Sequence, residues 1–197
     1  MNSATRRISV PGPAGAIECA VDLPAAQAPP RGVALVCHPH PQHGGTLDNK
    51  VVQTLARALL QLGYRTVRFN FRGVGASAGV WDEGRGEVDD ASAVIAALRD
   101  DGAAPGAAPT PLVVAGFSFG GYVASQAAAR LPEGAKAERL VLVGPSTQKQ
   151  QVAVVPLSAT LDWARPQSLP VVVVPGGGHF FHGQLPLLKS IVLAAWH

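Results

Sequence analysis

Ser118 stands at the centre of Gly116-Phe117-Ser118-Phe119-Gly120, a Gly-x-Ser-x-Gly set. An apolar, β-branched run, Pro111–Ala115, precedes it, and an Ala-rich run, Tyr122–Leu131, follows it and is closed by Pro132. A serine on a strand-to-helix corner is held at the tip of a sharp turn. Its hydroxyl is exposed there, and the next backbone N–H, that of Phe119, sits at the positive end of a helix. The flanking glycines matter because a side chain at either place would crowd the turn. The chemistry such a corner serves is nucleophilic attack on a carbonyl. A serine hydroxyl is a poor nucleophile without a base, and histidine has the right pKa. His179 follows the last strand-like run after Gly176-Gly177-Gly178 and is the expected base. His182, close behind it, reads as a structural hydrogen-bonder.

The spacing alone is a weak signal, because Gly75-Ala76-Ser77-Ala78-Gly79 repeats it. Context separates the two: no helix opens after Ser77, where Val80-Trp81-Asp82-Glu83-Gly84 is loop-like. An oxyanion formed on Ser118 attack needs two backbone N–H donors. Phe119 supplies one. The other is expected from the loop Cys37-His38-Pro39-His40-Pro41, where the prolines have no N–H and His40 lies between them. His38, His40 and His43 also invite a metal reading, but Pro39 and Pro41 restrict the loop, so no metal is expected. Phe69–Gly79 resembles a loose dinucleotide fingerprint. Its third glycine comes one place late and no helix follows at once, so no cofactor is expected. Glu87, Asp89 and Asp90 are placed in the first turn of the next helix, where carboxylates favour the dipole.

These residues must be positioned by alternating strands and helices. Arg6–Val10 and Ala16–Leu23 read as a hairpin, and Val33–Cys37 as a buried strand. Asn49–Leu62 has helical spacing, Tyr64–Phe71 is strand-like and Glu87–Arg99 helical. Strands are expected at Leu112–Ala115, Arg139–Val143 and Val171–Val174, and helices at Ser118–Leu131, Leu157–Arg165 and Pro186–Trp196. This order predicts an α/β fold with a mainly parallel, doubly wound sheet, helices on both faces and the site at the carboxyl ends of the strands.

With 47% apolar and 15% charged residues, the 197-residue chain reads as one domain, 1–197, and not as a disordered one. Its net charge of +3 is spread over isolated arginines, which argues against a nucleic-acid partner. Gly102–Ala129 has no charge, yet prolines and glycines interrupt it, so a buried strand and helix are expected rather than a membrane span. Cys19 and Cys37 fall in strand-like runs, as buried thiols of a reduced compartment do, and no secretory h-region is apparent; a cytoplasmic location follows.

Several segments together resemble a small bacterial α/β-hydrolase of the dienelactone-hydrolase-like kind. They are Cys37–Pro41 with Gly44-Gly45, Asn49–Val52, Phe69–Gly75, Gly116–Gly120 and His179–Gly183. The resemblance implies an α/β-hydrolase fold, with Ser118 as nucleophile, His179 as base and esterase-like activity. One part of the pattern is missing. Such hydrolases carry a further strand after the one ending at Val143, and its closing turn bears the Asp that orients the histidine. Here the family's acid would fall near Val152, and no carboxylate occurs from 139 to 161. After Gly144-Pro145, the six residues Ser146–Gln151 before Val152–Val155 are also too few for a parallel crossover. Either the sheet lacks this late strand or the chain is a deletion variant, the preferred reading. Asp162 is the nearest substitute acid, ahead of Asp82 and Glu83. Loss of an orienting acid costs about 10⁴-fold in turnover. The expected activity is thus hydrolysis of small esters or thioesters, slowed by the missing acid. The rival is a non-catalytic binding protein of the same fold.

Overall fold

The structure is a computed structural model and describes residues 5–25, 29–100, 109–145, 162, 171–174 and 178–196. In chain order its strands are β1 (Arg6–Gly12), β2 (Gly15–Asp22), β3 (Gly32–Cys37), β4 (Tyr64–Phe69), β5 (Leu112–Phe117) and β6 (Arg139–Val143). The helices are α1 (Lys50–Gln61), α2 (Arg85–Asp100), α3 (Phe119–Ala129) and α4 (Leu185–Ala194). One sheet runs in the order β1-β2-β4-β3-β5-β6. The hairpin β1–β2 and the pair β2–β4 are antiparallel, whereas β4, β3, β5 and β6 are mutually parallel. The chain therefore leaves β3 to one side through α1 and returns to its other side through α2. That reversal opens a crevice at the carboxyl ends of β3 and β5.

Burial explains the runs read as strands. All six residues of β3 and all six of β5 are buried. On β3, Val33, Leu35 and Cys37 join a core with α2 and α3, and Ala34 and Val36 join a second core with α1 and α4. This two-residue alternation between two buried faces is why the strands read as continuous apolar runs. α1 lays Val51, Val52, Leu55, Ala58 and Leu59 on the sheet. Asn49 caps it, its Oδ1 accepting the N–H of Val51 at 2.9 Å, a contribution of about 1 kcal/mol.

One expected strand is absent. Val171–Val174 is described without strand pairing, and Val172 is 64% exposed. With Val172 and Val174, β6 and α4 line a cavity of about 300 Å³. A strand needs a neighbour about 4.8 Å away. Among the described residues β6 pairs only with β5, and Val171–Val174 joins no strand. The run Val152–Val155 lies outside the described residues, as does the expected Leu157–Arg165 helix except for Asp162, which is helical and exposed.

Candidate active site

Ser118 links β5 to α3 with φ 56° and ψ −121°. This is left-handed backbone for a residue with a Cβ, sustained only where the surroundings determine it. They do. The Ser118 N–H donates to the Val143 carbonyl at 2.9 Å, and the Ser118 carbonyl accepts the N–H of Gly121 at 2.9 Å. A Cβ on Gly116 would stand 2.1 Å from the Gly120 oxygen, and one on Gly120 would stand 2.4 Å from the carbonyl oxygens of both Cys37 and His38. The glycines thus let α3 begin directly against the ends of β5 and β3.

The Nε2 of His179 lies 3.1 Å from the Ser118 Oγ. The imidazole packs on Phe117, centroids 5.0 Å apart, and on Phe180 at 5.1 Å. His179 is exposed as a residue, yet this packing strips water from the ring, and desolvation lowers its pKa below the ordinary 6.5. The neutral ring can accept the Ser118 proton at Nε2, with its own proton at Nδ1. A Cβ on Gly144 would meet that Nδ1 at 3.5 Å. Among the described residues no carboxylate hydrogen-bonds it. Asp82 and Glu83 both pair with Arg85 instead. His182 is exposed, its ring against Phe180 at 5.9 Å.

The three histidines after β3 have separate fates. His38 is fully buried: its Nε2 accepts the Phe71 N–H at 3.0 Å, and its Nδ1 lies 2.6 Å from the Pro39 carbonyl oxygen. Both nitrogens are engaged by backbone, and burial lowers the pKa to about 4. The His40 carbonyl accepts the N–H groups of His43 and Gly45, each at 3.1 Å, so the loop is closed on itself beside Ser118. The His40 ring lies 5.1 Å from Phe119, and burial followed by the nearby His43 lowers its pKa. Among the described residues no group of three or more His, Cys, Asp or Glu could hold a metal ion.

Ser77, in the second Gly-x-Ser-x-Gly, is buried in a structural role. Its Oγ donates to the Asn70 carbonyl at 2.7 Å and accepts the Glu18 N–H at 2.9 Å. Of the three carboxylates expected in the first turn of α2, Glu87 lies there and Asp89 and Asp90 fall beyond it because the helix begins at Arg85; the buried Glu87 carboxylate also accepts the N–H groups of Asp82 (3.0 Å) and Gly84 (2.8 Å). Two neighbours of the site escaped the sequence reading. Gly144 had no signal beyond its place after a strand. Trp81 did: a lone tryptophan in a Gly-rich polar loop.

A family model described as "Serine aminopeptidase, S33" matches residues 28–182. The chain belongs to this α/β-hydrolase family. A lidless α/β serine hydrolase from Xanthomonas campestris is 35% identical, with a TM-score of 0.85 over 100% of this chain and 96% of that one. An α/β serine hydrolase homologue from Coxiella burnetii is also 35% identical, with a TM-score of 0.83 over 98% and 97%. An uncharacterised protein of Rickettsia prowazekii (strain Madrid E) is 43% identical over 122 residues, 62% of this chain. The chain spans 49% of the length of that curated relative. Among the described residues no helix is long and apolar enough to cross a membrane.

Proposed function

We propose that this chain is a serine hydrolase, of carboxylesterase or thioesterase type, which cleaves small ester or thioester substrates through an acyl-enzyme. The 3.1 Å contact between Ser118 Oγ and His179 Nε2, made at a serine with φ 56°, carries this reading. The corner on which Ser118 sits is then a nucleophile elbow. Oγ attacks the acyl carbon and its proton passes to Nε2. The carbonyl oxygen becomes an oxyanion held by the N–H groups of His40 and Phe119. Collapse breaks the bond to the alcohol or thiol, which leaves with the proton from His179. Water then attacks the acyl-serine, gives a proton to His179, and releases the acid as Ser118 recovers its hydrogen. No metal or cofactor takes part. Free, buried Cys19 and Cys37 fit a reducing cytoplasm.

A second reading is a non-catalytic binding protein, favoured by the lack of a carboxylate beside His179 Nδ1 among the described residues. One experiment separates the two: fluorophosphonate labelling of the folded protein with peptide mapping, beside ester turnover by Ser118→Ala. Adduct on Ser118 and loss of turnover in the variant are expected. An unlabelled Ser118, or a variant that hydrolyses as fast as the parent, overturns the hydrolase reading.

A further inference from the structure

The two N–H donors proposed for the oxyanion come from separate connections, one after β3 and one after β5. How far apart they stand depends on how those connections pack, and their side chains meet directly. The His40 and Phe119 rings are 5.1 Å apart. Trp81, from the β4–α2 connection, touches both, at 4.6 Å from His40 and 5.1 Å from Phe119. Three rings from three connections close a triangle behind the site.

Trp81 is held from behind. Glu87 ties down the N–H groups of Asp82 and Gly84, and Arg72 grips Asp90 through two 2.8 Å bonds. Gly84 fits so closely that a Cβ there would stand 2.8 Å from Tyr122. The His40 ring has no such polar anchor. Its Nδ1 is buried without a hydrogen-bond partner, so packing alone keeps the ring in place. Opening that packing would let Nδ1 turn toward water and remove the ring contact that seats the His40 loop against Phe119.

We infer that Trp81 is a positioning residue for the oxyanion hole, its indole wedged against His40 and Phe119 so that their backbone N–H groups converge. The inference rests on the hydrolase reading above. The test is kcat and KM on p-nitrophenyl acetate for the parent, Trp81→Ala, Trp81→Phe and Ser118→Ala, with thermal melts and pH profiles. Trp81→Ala is expected to lower kcat and kcat/KM together by about 10- to 100-fold, below the effect of deleting one donor outright. Trp81→Phe, which restores a ring, recovers most of that loss. The acid limb of the pH profile, which reports His179, stays in place. Should Trp81→Ala not melt cooperatively, Trp81→Leu, bulky but without a ring, carries the same expectation. A kcat within about twofold of the parent, or a loss confined to KM, overturns the inference. If Ser118→Ala abolishes turnover while Trp81→Ala keeps kcat, the hydrolase reading stands and Trp81 is only a wall. If Ser118→Ala keeps turnover, the hydrolase reading itself falls.

Discussion

Ser118 holds a conformation that costs of order 1–3 kcal/mol, offset by the bond from its N–H to Val143 and the close seating of α3. Its partner His179 must be neutral to act as a base. Desolvation favours the neutral ring, so kcat/KM should rise with pH through a midpoint below 6.5 and then level off. A pH–rate profile with its acid limb centred at 7 or above would contradict this. Gly144 offers a second test. It sits at φ 47°, a conformation that Asp tolerates better than most residues, and its side chain would start 3.5 Å from His179 Nδ1. Gly144→Asp should therefore supply the orienting acid and raise kcat on a short ester by about tenfold or more. An unchanged or lower kcat in a folded variant would show that the carboxylate does not reach Nδ1.

At the level of elements, His38 joins the ends of β3 and β4. Its Nε2 accepts the Phe71 N–H only when unprotonated, and burial holds its pKa at about 4 against an ordinary 6.5. Between these values the unfolded chain binds a proton that the folded chain does not, so stability falls as pH falls. The loss begins near pH 6.5 and is complete below about 4, amounting to about 3 kcal/mol at 1.36 kcal/mol per unit. Urea unfolding at pH 7, 5 and 4 should show this slope. His38→Asn should be less stable at pH 7 and flatter across the range. Equal slopes in parent and variant would remove His38 as the cause.

Over the whole molecule, the candidate site lies at the carboxyl ends of β3 and β5, where His179 is exposed. The sequence leaves thirteen residues, 144–156, between β6 and the expected helix, too few for a lid. Small acyl groups should therefore be preferred. For p-nitrophenyl esters, kcat/KM is expected to fall by about tenfold or more from butyrate to dodecanoate, with no jump above the micellar threshold. A rise with chain length would overturn this expectation. The two cores on opposite faces of the sheet make the platform for the site, and both belong to strands whose continuous apolar runs were legible at once.

Local pattern accounts for what could be read without coordinates. Two-sided burial writes β3 and β5 as unbroken apolar runs, and glycines two residues to either side mark the corner at Ser118 because a Cβ at either place collides with backbone. That is why a mainly parallel α/β sheet and the candidate serine were visible, and the resemblance of the motifs added the hydrolase family. Contacts between distant segments were not. Trp81 joins His40 and Phe119 from a third connection, and Ser77 is absorbed by Asn70 and Glu18. Val171–Val174 has strand composition but pairs with no strand among the described residues. Composition sets what a segment can do alone, whereas pairing and side-chain convergence require a neighbour that only the folded chain supplies.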